Sequence, residues 1–207
     1  MKRIYIIFVL ALAVSMADAA DLRTLFIEMP DSIIPTLTKN ERMDFLDFMD
    51  SGMRARVRNK LGGESEMTLL RDNMLTVRTS AAGRMDMVLF PRKNGTNLIC
   101  IINTATVRYD DSRLMFYNED WSPVDSKSLI ELPGFEDFLT SDALKSDSLD
   151  VFKKRSMLRL QSATPVDGAI EFRYTSLEYI GEGWERYKTW IKPEPLRYIW
   201  NGRKFKR

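Results

Sequence analysis

Met85-Asp86-Met87-Val88-Leu89-Phe90-Pro91-Arg92-Lys93-Asn94-Gly95-Thr96-Asn97-Leu98-Ile99-Cys100-Ile101-Ile102 is the stretch on which the fold turns. Met85, Met87 and Leu89 alternate with Arg84, Asp86 and Val88, the period of two that places one set on each face of a strand. Asn94-Gly95 supplies two residues that tolerate positive φ, so the chain reverses there in a hairpin. Leu98 to Ile102 is a continuous apolar run, the pattern of a central, well-buried strand. Working outward, Leu75, Val77 and Thr79 alternate with Thr76, Arg78 and Ser80, and Arg113 to Tyr117 reads as a fourth strand. Ahead of the strands, Thr38-Lys39-Asn40-Glu41 has the spacing of a capping box, in which hydroxyl and carboxylate each satisfy an orphan amide. It opens a helical stripe of Met43, Phe45, Leu46, Phe48 and Met49, with Asp44, Asp47 and Asp50 interleaved. Gly52 and Gly62-Gly63 offer stops, and Met53 to Leu61 is expected to continue as a second short helix. A helix followed by antiparallel strands on short turns is α+β.

The same order recurs downstream. Phe45 to Met49 is echoed by Phe135-Glu136-Asp137-Phe138-Leu139, and Met74 to Val77 by Met157-Leu158-Arg159-Leu160. Met85, Met87 and Leu89 find counterparts in Ile170, Phe172 and Tyr174, and Leu114 and Phe116 in Leu196 and Tyr198. The expectation is two tandem helix-plus-four-stranded antiparallel sheet repeats, over residues 20–125 and 126–207, side by side and each beneath its own helices. A single α+β domain with accidental similarity is the alternative.

Residues 1–19 have the layout of a cleaved signal peptide. Lys2 and Arg3 give a positive start, Ile4 to Val14 an apolar stretch too short to span a bilayer, and Ala17-Asp18-Ala19 a small-residue cleavage site. The product is expected to be exported to the periplasm or beyond, soluble and not membrane-spanning. No cysteine follows the apolar stretch to carry a lipid anchor. Cys100, the only cysteine, allows no internal disulfide despite an oxidising destination, and its apolar neighbours make it a small buried hydrophobe. A formal charge of +2 argues against broad electrostatic binding of nucleic acid. The basic end Arg203-Lys204-Phe205-Lys206-Arg207 reads as a solvated tail, or else as a contact for an anionic surface.

The chain contains no histidine, which excludes Ser-His-Asp and Cys-His activation within it and removes the imidazole ligands of zinc sites. No metal or other cofactor is expected. A glycosidase would need two facing carboxylates, and Asp110-Asp111 and Glu119-Asp120 are the candidates among 29 acidic residues. Asp110-Asp111-Ser112 reads better as a turn between strands, and no Asp-x-Asp-x-Asp-Gly calcium loop is present. Asn94-Gly95-Thr96 matches a glycosylation acceptor, but hairpin geometry accounts for it.

Near the C-terminus lie Trp184, Trp190 and Trp200, three of the four tryptophans. If Trp184 to Ile191 is a strand, Trp184, Arg186, Lys188 and Trp190 share one face, and Glu185, Tyr187, Thr189 and Ile191 the other. A face that places Arg and Lys between tryptophans suits contact with a partner or glycan, so these four are the candidate binding residues. The bland reading is that basic stems lie over tryptophan rings on an ordinary surface.

The leader, the Phe-x-x-Phe helix, the block Arg113-Leu114-Met115-Phe116-Tyr117-Asn118-Glu119-Asp120-Trp121 and the ending Pro195-Leu196-Arg197-Tyr198-Ile199-Trp200-Asn201-Gly202-Arg203-Lys204-Phe205 together resemble an uncharacterised family of exported proteins from gut Bacteroidetes. That family carries no activity to transfer. The doubled layout is also similar in architecture to beta-lactamase-inhibitor-protein-like folds, which implies a sheet presented to a partner and identifies none. Sequence thus points to an exported, non-enzymatic binding module for a protein or glycan of the cell envelope. Its rivals are a carboxylate-dependent glycan hydrolase and a structural component of an envelope assembly.

Overall fold

In the computed structural model, which describes residues 19–207, the capping box is closed. The Glu41 amide donates to the Thr38 hydroxyl at 3.2 Å, and the Thr38 amide donates to the Glu41 carboxylate at 2.6 Å. This starts α2 (Lys39–Asp50), which follows the shorter α1 (Leu22–Glu28). Phe45 and Leu46 of α2 join Leu22, Leu25 and Phe26 of α1 in one apolar cluster. Arg42 is buried with them at 1% exposure, because its guanidinium donates to the Ile27, Met29 and Leu37 carbonyls and to Asp31. The leader expected over residues 1–19 lies, but for residue 19, outside the described residues.

The second short helix expected over 53–61 is not formed. Arg56–Arg58 is instead strand β1, because Val57 packs inward while Arg56, paired with Glu64, and exposed Arg58 point away, and a turn follows at once. The Asn59 side chain accepts the Leu61 and Gly63 amides, and Gly62 takes φ +78°. From there the chain runs as a meander: β2 (Glu64–Leu70), β3 (Met74–Ser80), β4 (Gly83–Pro91), β5 (Asn97–Thr106), β6 (Asp110–Tyr117) and β7 (Pro123–Val124). All seven strands pair antiparallel in sequence order. The Asn94-Gly95 hairpin stands where expected, with Pro91 opposite Asn97 and the Arg92 amide bonded to the Thr96 carbonyl at 2.8 Å. Only Gly95 takes positive φ (+83°), at the last position of a three-residue loop, where a side chain would be strained.

A second antiparallel sheet holds β8 (Gln161–Val166), β9 (Ala169–Tyr174), β10 (Leu196–Trp200) and β11 (Phe205–Lys206), in the order β11-β10-β9-β8. It lies on the face of the first sheet that α1 and α2 leave open. Val88, Phe90, Leu98, Cys100, Ile102 and Phe116 of the first sheet form one core with Ala163, Ile170, Phe172, Leu196, Tyr198 and Phe205 of the second. The opposite face of β3, β4 and β5, with Leu75, Val77, Met85, Met87, Ile99 and Ile101, packs on the helices. Polar ties cross between the sheets as well. The Ala163 amide donates to the Ser112 hydroxyl at 2.9 Å, and the Trp200 indole to the Pro91 carbonyl at 2.7 Å.

The chain is therefore α+β with two antiparallel sheets, but the halves are not equal repeats standing side by side. The first sheet has seven strands against four, and the sheets share a core face to face. Phe135–Phe138 is a 3-10 helix, and Met157 to Leu160 precedes β8 without being a strand. Ile170, Phe172 and Tyr174 do lie in β9, and Leu196 and Tyr198 in β10. Those two strands pair directly, whereas their counterparts β4 and β6 are separated by β5. Asp86, on the face of β4 shared with Val88 and Phe90, is buried; it accepts the Thr76 hydroxyl at 2.7 Å and Arg84 at 3.0 Å. Helices α3 (Ser141–Leu144) and α4 (Leu149–Arg155) complete the second half, around a small cluster of Leu139, Ala143, Phe152 and Tyr187.

Candidate functional site

Strands β9 and β10 are hydrogen-bonded neighbours, Phe172 opposite Leu196, yet residues 175–195 separate them. A hairpin of about 2–5 residues would join such a pair, so the excursion is not required by the sheet. It folds as two 3-10 helices, Leu177–Ile180 and Trp184–Trp190, hinged at Gly181 and Gly183, whose φ values are +81° and +76°. Its base is fixed. Ser176, fully buried, accepts the Leu160 amide at 2.9 Å and donates to the Leu158 carbonyl at 2.8 Å. The far end is tied by the Thr140 amide to the Trp190 carbonyl and the Lys192 amide to the Phe138 carbonyl, both at 2.8 Å.

The strand expected over Trp184 to Ile191 is thus a 3-10 helix, and its alternation does not hold. With three residues per turn, Trp184, Tyr187 and Trp190 fall on one side. Tyr187 is the buried member, at 4% exposure, with its ring 4.6 Å from Phe152 and 5.1 Å from Trp190. Trp190 is half-buried and meets Phe152 edge-on at 5.2 Å. Arg186 and Lys188 point out to solvent, but each reaches back over a ring. Lys188 Nζ stands 4.5 Å from the centre of Trp184, and the Arg186 guanidinium 4.7 Å from that of Tyr187 while donating to its hydroxyl at 2.8 Å. The structure therefore keeps the four predicted residues on one short element, two as outward cations and two as half-buried rings. Tyr187 is the anchor, a role that the alternation of a strand does not give it; the spacing Trp184-x-x-Tyr187-x-x-Trp190 is the signal that identifies it.

The carboxylate candidates are occupied with structure. Asp110 and Asp111 lie inside β6, opposite Thr106 and Ala105, and the expected turn falls before them. Glu119 accepts the Ala20 and Asn97 amides, and Asp120 accepts the Ser122 amide and hydroxyl, which hold its carboxyl below the usual range. Cys100 is fully buried in the inter-sheet core, where desolvation pushes its thiol pKa far up. Among the described residues no group of three or more Cys, Asp or Glu is placed to hold a metal ion. No helix among them is long and apolar enough to cross a membrane.

Against known proteins, the family described as "Protein of unknown function (DUF3256)" matches over residues 14–205. The chain belongs to this family. A solved structure shares the DUF3256 chain's architecture: a domain of an uncharacterized protein from Porphyromonas gingivalis W83, 26% identical, with a TM-score of 0.79 over 90% of this chain and 98% of that one. The resemblance to an uncharacterised Bacteroidetes family stands at that level. No curated protein matches the chain.

Proposed function

We propose that the protein is an exported, non-enzymatic binding module that grips a protein partner of the cell envelope with the outward surface of residues 177–190. The observation that carries this reading is the excursion itself: a long, ordered, aromatic-rich connection between two strands that need only a tight turn. Long ordered loops on a rigid sheet are where binding residues concentrate. The excursion offers Tyr179, at 55% exposure, half-buried Trp184 and Arg186, the residue types that dominate protein contacts, with Lys188 as a further cation beside them. Lys188 stands over one face of Trp184, which leaves less of that ring for a sugar to stack on. The two outward cations favour an acidic partner surface. A chain without histidine, whose lone thiol is enclosed, supports the non-enzymatic part, and the leader-like start supports export.

The test places a photo-reactive residue at Lys188 and, as control, at exposed Thr68 of β2, in cells that make the protein. A discrete adduct from position 188, absent from 68 and lost when Arg186→Glu is added, is the expected result. Identical adducts from both positions, or adducts indifferent to charge reversal, would overturn the reading. Sequencing of the mature N-terminus should begin at Ala20; an uncleaved Met1 would remove the export element.

A further inference from the structure

The basic C-terminus is not a free tail. Phe205 is buried, with its ring 4.8 Å from Phe90 and 4.9 Å from Trp200, and its amide donates to the Leu129 carbonyl at 2.8 Å. This pins Lys204 and Lys206 on either side of an anchored residue. Both then line a cleft of about 830 Å³ with Lys127, Arg207, Tyr198 and Asp137. Arg207 is committed to Asp137 at 2.6 Å, and Glu131 is the remaining acid of the lining. Lys127, Lys204 and Lys206 form no ion pair among the described residues, so three exposed lysines border one cleft without a paired counter-charge.

The wall opposite the lysines is held rigid. Asp137 Oδ2 accepts the Gly134 amide at 2.8 Å, and the Asp137 carbonyl accepts Lys192 Nζ at 2.8 Å. Gly134 and Asp137 also border an adjoining cleft of about 590 Å³, whose cations are Lys153, Arg159 and Lys192. Across both lobes seven cations stand against three acids, Glu131, Glu136 and Asp137, on a chain whose net charge is only +2. Such an excess raises the positive potential in a concave part of the surface.

From this we infer a binding site for the phosphate group of a small ligand, held by Lys127, Lys204 and Lys206. Three convergent lysines act as point charges on a compact, multiply charged group such as phosphate; a lone carboxylate is better read by the planar fork of arginine. A cavity of this size suits a small ligand. The site is separate from the outward face of residues 177–190, and either can fail without the other.

Calorimetry of the mature chain with a hexose 6-phosphate, the same unphosphorylated hexose and inorganic pyrophosphate tests the inference. The two phosphates are expected to bind and the hexose not, with affinity falling several-fold between about 50 and about 300 mM salt as charges are screened. Lys204→Ala with Lys206→Ala should weaken phosphate binding at least tenfold, Lys127→Ala severalfold, and Arg58→Ala in β1 not at all. All are exposed positions, so melting temperatures should match the wild type and loss of folding cannot mimic loss of binding. Phosphatidylcholine vesicles with and without lipid A then distinguish a glycolipid headgroup from a free sugar phosphate. Equal uptake of phosphorylated and neutral hexose, or full affinity in the double lysine variant, would overturn the site.

Discussion

At the scale of single residues, the charged side chains show how little a polar letter says about its surroundings. Glu66 in β2 accepts from Arg54 at 2.6 Å, from Arg78 at 3.0 Å and from Arg56 at 3.4 Å. Arg54, the strongest partner, lowers its pKa from 4.5 to about 2. A carboxylate held down in the folded state stabilises fully above its ordinary pKa and loses that contribution as pH falls through the folded value. Denaturant midpoints should therefore drop between pH 4.5 and about 2, and the drop should be shallower in Glu66→Gln than in the wild type. An identical slope in the two proteins would mean that the three arginines do not act through Glu66. Nothing in the sequence marks Glu66 or Arg42, because their partners come from other segments. The Thr38 to Glu41 capping box was legible for the opposite reason: every atom of it lies within four consecutive residues.

At the scale of elements, local patterns succeed where the element's own turn chemistry decides. The β4–β5 hairpin was readable because Gly95 can take a φ that other residues avoid, and two apolar runs flank it. Trp184–Trp190 departs from the expected strand because seven residues satisfy periods of two and three about equally well. What decides is the pocket under Tyr187, built by Phe152 and Trp190. Tyr187→Ala should cost about 3 kcal/mol in unfolding free energy, as for other buried rings removed from a packed site. Arg186→Glu with Lys188→Glu should shift stability by less than about 0.5 kcal/mol, as exposed positions do. Chemical denaturation of both variants separates the ring that builds the excursion from the cations proposed to use it. Comparable losses in the two would place Arg186 and Lys188 in the packing.

At the scale of the whole molecule, the run Leu98 to Ile102 carried more information than its reading as one buried strand. All five residues are fully enclosed, so this stretch of β5 has no solvent face, and the sheet around it must be covered on both sides. That is the mark of stacked sheets, and it outweighs the echoes that suggested two separate units. Echoes report similar strands; they do not report which strands pair, and here β9 meets β10 directly. A cut between residues 125 and 126 would bare Val88, Phe90, Leu98 and Phe116 on one piece and Ile170, Phe172, Tyr198 and Phe205 on the other. Each fragment made alone should therefore bind a hydrophobic dye and exchange its amides rapidly, while the two made together should recover native protection. A stable, protected 20–125 fragment would show that the first sheet and its helices suffice.

Cys100 offers a practical return from this arrangement. The lone thiol is sealed at the seam between the layers, so no reagent reaches it until they part. Its alkylation rate is accordingly a native gauge of how often the molecule gapes, readable by mass spectrometry without any introduced label. Modification should be slow in the intact protein and accelerate in step with global unfolding. Fast labelling under native conditions would instead reveal a breathing motion that admits solvent to the middle of the protein.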